Sequence, residues 1–197
     1  MGKIGIVWLS LCIGLVGCVT EKLPPVSVYT LSPDLTDVAP AGGSQHEDVI
    51  LKLDRIRSSR SLRDTTMLYS DAQFGQNSYA YSRWSDAPPA MLLAVFQQAI
   101  EDSGKYRAVV PHTSDSQFDL LLESTLLEFS HRLHADGTSD GVIRIRCYLL
   151  DSRTRRITAS HEFASSVPAS SRDARGAATA LNKAAANVSR ALVDWLE

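Results

Sequence analysis

The chain has 197 residues, 44% hydrophobic and 21% charged, and its 20 Lys and Arg against 22 Asp and Glu leave a formal charge of −2. That balance lacks both the basic footprint of a nucleic-acid binder and the charge excess that keeps chains disordered. Three cysteines are too few for a disulfide framework, and the length fits one domain with an appendage.

Residues 1–18 read MGKIGIVWLSLCIGLVGC. Lys3 precedes an apolar stretch, residues 4–16, in the order of an export signal. As a helix that stretch spans about 20 Å, short of a ~30 Å hydrocarbon core. No second apolar run of spanning length follows. The segment ends in Leu15-Val16-Gly17-Cys18, which looks like a bacterial lipobox. In such a box the cysteine is acylated on sulfur, becomes the first residue after cleavage and is acylated again on its amine. Cysteine is required because its thiolate is the nucleophile. Two or more acyl chains anchor stably, at about 0.8 kcal/mol per buried methylene, where a single chain does not. Val19 rather than Asp follows the cysteine, which favours the periplasmic leaflet of the outer membrane. Cys12 lies inside the apolar stretch and would leave with it.

The expected organisation is therefore a signal peptide over 1–17, a lipidated Cys18 with a tether over 18–46, and a globular domain over 47–197. The tether span holds Pro24, Pro25, Pro33, Pro40, Gly42 and Gly43, with one short extended piece at 26–31. Fully stretched it would reach roughly 90 Å, and as a coil nearer ~30 Å.

From Val49 the chain becomes patterned. Residues 49–56 alternate in part and read as a strand, followed by a polar, basic connection over 58–64. Residues 67–71 and 78–84 read as a hairpin turning at Gly75-Gln76-Asn77. Pro88 and Pro89 then open a helix whose Met91, Leu92, Val95, Phe96, Ala99 and Ile100 share a face, with Gly104 as its stop. Residues 106–110 read as a short strand, and 118–131 as a long one, with a helix as the alternative. After a turn at 135–141, residues 142–150 alternate, with Ile143, Ile145, Cys147 and Leu149 on one face and Arg144, Arg146 and Tyr148 on the other. Residues 153–156 form a basic turn, and 157–167 a further strand. The Ala-rich end carries a helical stripe of Ala177, Leu181, Ala184, Val188, Leu192 and Trp195. Strands then helix, twice over, predict an α+β fold. It would have an antiparallel or mixed β-sheet with two amphipathic helices packed on one face.

Motifs for catalysis are absent: there is no G-x-G-x-x-G, P-loop, G-x-S-x-G or H-E-x-x-H. The histidines are His46, His112, His131, His134 and His161. His131 and His134, three apart on a strand, would face opposite sides, so exposed polar histidines are expected there rather than a metal site. Cys147 sits in an apolar register and reads as a buried small hydrophobe. Asp115, Asp119, Glu123 and Glu128 read as solvated strand-edge charges. No catalytic residue, cofactor or metal is expected. Two clusters are candidate partner contacts. Arg57 and Arg60, in the basic run that also holds Arg55 and Arg63, suit acidic residues or lipid head groups. Tyr79, Tyr81 and Trp84 suit an interface if their hairpin lies at a sheet edge.

Several stretches together carry a family likeness. After the lipobox come Tyr29-Thr30-Leu31, then Val49-Ile50-Leu51-Lys52-Leu53-Asp54-Arg55-Ile56 and Met67-Leu68-Tyr69. Next is Tyr79-Ala80-Tyr81-Ser82-Arg83-Trp84-Ser85-Asp86-Ala87-Pro88-Pro89, followed through the helix by Ser103-Gly104-Lys105-Tyr106. In this order of an aromatic strand, a tryptophan and a proline-started helix, the whole chain resembles the ABC-type transport auxiliary lipoproteins, the paraquat-inducible protein C-like group. The resemblance implies a non-enzymatic outer-membrane lipoprotein serving an MCE-type transporter that moves lipids between the two membranes. Its partner would be a periplasmic MCE-domain protein, met in some members as a homo-oligomeric ring. Competing readings are another envelope binding lipoprotein, for cell-wall synthesis or outer-membrane assembly, and a periplasmic hydrolase.

Overall fold

The computed structural model describes residues 23–36, 46–71, 73 and 75–196. Cys18, the signal segment and residues 37–45 lie outside the described residues. The elements are β1 (Ser27–Tyr29), β2 (His46–Leu53), β3 (Arg57–Ser58), β4 (Thr66–Ser70), β5 (Gln76–Trp84), α1 (Pro88–Asp102), β6 (Tyr106–Val110), β7 (Leu120–Leu133), β8 (Ser139–Asp151), β9 (Ile157–Pro168) and α2 (Ala174–Trp195). A single 3-10 turn, Arg60–Leu62, follows β3.

The nine strands of the described residues form one mixed sheet around β7. On one edge, β8 runs antiparallel to β7 from Leu120↔Asp151 to Leu133↔Ser139, and β9 runs antiparallel to β8. On the other edge, β2, β3 and β4 succeed one another along β7, all parallel to it. The sheet then forks: β6 pairs parallel with β2, while β5 pairs antiparallel with β4 and carries β1 on its far side. The α+β fold with a sheet and two helices is thus present, and the long segment around residues 120–133 is a strand, as the alternating burial of Leu122, Ser124 and Leu126 shows.

The helices obey different packing rules. The second, α2, lies across β7, β8 and β9. Its buried residues include Ala177, Leu181, Ala184, Ala185, Val188 and Leu192, each at most 1% exposed. A Cβ on Gly141 of β8 would lie 2.7 Å from the Leu181 nitrogen and 2.8 Å from the Ala180 carbonyl carbon. Small residues on both sides let backbone meet backbone here. The first, α1, contacts α2 and β6 and buries the larger Met91, Leu92, Val95, Phe96 and Ile100. It stops as read from sequence, with Gly104 at φ 65° after Ser103.

Two boundaries differ from expectation. The span 18–46 reads as a tether, yet Ser27–Tyr29 within it pairs with Ser82–Trp84 of β5 and Leu31 is buried. Asn182 of α2 holds the following residues, accepting from the Ser32 amide at 2.7 Å and donating to the Thr30 carbonyl at 3.2 Å. A three-residue strand is too short to show periodicity, and its partners lie far along the chain. The hairpin turn also sits earlier than predicted. Asp71 Oδ1 accepts from the Gln73 and Gly75 amides at 2.9 and 2.8 Å, so Gln76 and Asn77 already belong to β5. An aspartate side chain capping its own turn took precedence over the glycine.

Candidate functional site

A groove of about 770 Å³ lies between the basic connection after β2 and the start of α1. The connection is pinned at intervals. The Asp54 amide donates to the Leu122 carbonyl at 3.0 Å, and Arg57 and Ser58 pair with Thr125 and Leu126. Between these points Ile56 is buried while Arg55 and Arg57 are exposed, as an extended chain alternates. Leu62 then turns inward. Arg63 folds back, donating through Nε and Nη2 to the Ser58 carbonyl at 3.2 and 3.0 Å. Arg55, Arg57 and Arg63 therefore converge on one wall.

The facing wall is apolar: Ala87, Pro89, Ala90 and Leu93 of the α1 start, with Ile56 beneath. His112 lines the groove too, and its Nδ1 is buried without a hydrogen-bond partner among the described residues. Helix α1 has no acidic residue in its first turn and no side-chain cap. It also offers no free amide there, because Pro88 and Pro89 have none and the Ala90 and Met91 amides donate to the Ala87 carbonyl. Anion recognition in this groove falls to guanidinium groups. Arg57 has loose partners in Asp54 and Glu123, at 3.7 and 3.4 Å. The Arg55 guanidinium has no carboxylate partner among the described residues.

The candidate contacts named from sequence separate. Arg57 lines the groove, while Arg60 is exposed outside its lining. Tyr81 is 43% exposed and, with Tyr79, borders a smaller hollow beside Tyr29 and the start of α2. Trp84 is a correction. It is 1% exposed, with its ring edge-on to Phe129 at 5.3 Å, so it is a core residue and offers no surface. The twist lies in β5: the β4 pairing shifts register between Thr66↔Arg83 and Leu68↔Ser78. Trp84 is also three residues from Tyr81, a spacing that puts the two on opposite faces of a strand.

The exposed reading of His131 is also overturned. His131 is fully buried, and its Nδ1 lies 2.6 Å from the Tyr79 hydroxyl. A bulge in β7 between Leu126 and Glu128 shifts the parity of the strand. Leu122, Ser124 and Leu126 point inward before it, Phe129 and His131 after it. Burial holds the His131 imidazolium below the ordinary histidine value and pushes the Tyr79 phenol up to about 12, so both are neutral at neutral pH. A hint in the sequence is the pair of consecutive leucines at the bulge, Leu126-Leu127, which breaks the alternation.

His134, Asp119, Glu128 and Cys147 have structural partners. His134 pairs with Asp140 at 2.8 Å, Asp119 accepts from the Ile50 amide at 2.9 Å, and Glu128 accepts from Arg132 at 2.6 Å. Cys147 is buried against the Ser124 hydroxyl at 3.3 Å, and burial pushes its thiol up to about 11, far from the reactive thiolate. Among the described residues no three metal-ligating side chains gather, and no helix is long and apolar enough to cross a membrane.

The sequence model of the ABC-type transport auxiliary lipoprotein component matches residues 29–193. The chain belongs to this family. The match starts in β1 and ends within α2, so it takes in the groove and the buried Trp84. Among solved structures, protein XCC0632 from Xanthomonas campestris is similar, at 22% identity and a TM-score of 0.79, over 87% of this chain and 94% of that one. The hypothetical protein CT253 from Chlamydia trachomatis is similar at 10% identity and a TM-score of 0.55, over 76% of this chain and 95% of that one. At these identities the likeness is one of fold. No curated protein sequence matches the chain significantly.

Proposed function

We propose that this transport auxiliary lipoprotein is a non-enzymatic accessory component of an MCE-type intermembrane lipid transport system. In this reading Cys18 anchors it in the periplasmic leaflet of the outer membrane, and the α+β domain meets a periplasmic MCE-domain partner, as a homo-oligomer. The observation that carries the reading is the family match over 29–193 together with the lipobox upstream of it. Cys18 and Ser27 are about nine residues apart, a reach of at most ~30 Å. The domain is then held close to its membrane, and a partner has to come to it. Of the candidate contacts, Arg57 and Tyr81 are exposed and each borders a hollow, and both suit that encounter.

Crosslinking in intact cells tests this. Recovery of an MCE-domain protein is expected, and recovery of only cell-wall synthases would defeat the reading. The anchor has its own check: the Cys18→Ser chain should no longer incorporate labelled palmitate.

A further inference from the structure

We infer that the groove between the arginine-bearing connection and the start of α1 binds an anionic phospholipid, with its phosphate on Arg55, Arg57 and Arg63 and part of an acyl chain along Ile56, Pro89 and Leu93. The inference rests on the lipid-transport reading for its biological sense, but its physical basis is separate. The cavity of about 770 Å³ falls within the ~300–1,000 Å³ of small-molecule sites, which suits a headgroup with part of a chain. Its two walls differ in chemistry, as the two ends of an amphiphile do. One presents three guanidinium groups on a chain whose overall charge is −2; the other presents prolyl, alanyl and leucyl carbon.

Guanidinium forks match phosphate oxygens in geometry and stay charged at every physiological pH. A free inorganic anion would leave the apolar wall unused, and an uncharged chain would leave the arginines unused. Access also fits. The Tyr29 carbonyl accepts from the Ser85 amide at 2.6 Å, two residues before the groove-lining Ala87. One end of the groove thus lies near the point where the link from Cys18, itself at most ~30 Å long, joins the domain. The acyl chains of that anchor carry no phosphate, so they do not satisfy the arginines.

The test places a photo-crosslinking residue at Ala90, and as a control at exposed Ala164 on β9, in the full-length chain in cells grown with radiolabelled phosphate. The expected result is phosphate label that stays on the protein band after free lipid is extracted with chloroform and methanol and is released from it by phospholipase, for the Ala90 probe and not for the Ala164 probe. The double substitution Arg55→Gln with Arg63→Gln should lower that adduct roughly tenfold or more, as loss of charged hydrogen bonds predicts. A protein-sized adduct at Ala90, no labelled lipid there, or an unchanged yield in the double variant would each overturn the inference. Lipid absent at Ala90 while an MCE-domain protein is captured from other faces sinks the groove alone. Lipid present at Ala90 with only cell-wall synthases captured sinks the transport reading alone.

Discussion

The two helices start in opposite ways. Asp173 caps α2, its Oδ1 accepting from the Gly176 amide at 2.8 Å, and the helix then runs on alanines into contact with β8. Ala87 precedes α1 with no side-chain cap, and two prolines replace the first amides. Where α2 crosses β8, small residues bring backbone against backbone; the start of α1 instead borders a hollow walled by three arginines, of which Arg55 has no carboxylate partner among the described residues. Residues in the first region answer to packing, and a substitution there should register as lost stability. Residues in the second answer to something outside the chain, so substitutions there should leave stability nearly unchanged.

The sharpest break of this contrast comes from the aromatic strand that joins the regions. Trp84→Ala removes a fully buried indole and its edge contact with Phe129. The expected loss is about 3–5 kcal/mol in denaturant unfolding. Tyr81→Ala, on the exposed face of the same strand, should stay within about 0.5 kcal/mol of the parent. Equal effects would erase the distinction between them. A smaller loss is expected at Gly141. An alanine there would place its Cβ against the α2 backbone, which cannot swing aside as a side chain would. Overpacking of this kind costs about 1–3 kcal/mol, read in the same unfolding measurement.

The same region should be sensitive to acid. His131 is buried, and its folded-state pKa lies below the ordinary 6.5. The unfolded chain therefore binds a proton that the folded chain refuses, and this contribution to stability, full above pH 6.5, falls as pH drops toward the folded value. Burial is the main cause, Asp173 and Asp140 oppose it, and Arg172 adds to it. The melting temperature of the parent should fall more between pH 7.5 and 5 than that of His131→Gln. A parallel decline would mean that other groups carry the acid sensitivity.

How much of this was legible beforehand depended on whether the deciding interaction was local. The amphipathic face of α1, its Gly104 stop, the strand at 106–110 and the buried register of Cys147 all follow from neighbours within a few residues. The inward turn of His131 follows from a bulge, and the membership of Ser27–Tyr29 in the sheet from a partner more than fifty residues away. The bulge leaves no more than a broken alternation at Leu126-Leu127, and the β1 pairing leaves no periodic trace. The groove was half legible. The run of Arg55, Arg57, Arg60 and Arg63 is plain, but only the pairing of Arg57 and Ser58 with β7 and the return of Arg63 onto Ser58 decide which three face Pro89 and Leu93.

The smallest expected effect is therefore the most telling. Arg55→Gln removes a guanidinium that is exposed and has no carboxylate partner among the described residues. Exposed charges of this kind contribute little to folding, so stability should stay within about 0.5 kcal/mol of the parent. Added salt should not change the comparison, because no intramolecular pair is lost. Arg57→Gln differs by design: its contacts with Asp54 and Glu123 are long and partly exposed, so any loss should be at most about 1 kcal/mol and should shrink as salt rises. If Arg55→Gln instead destabilises the fold as much as Gly141→Ala, the arginine wall is part of the packing after all, and the division between the two helix starts fails at its most exposed residue.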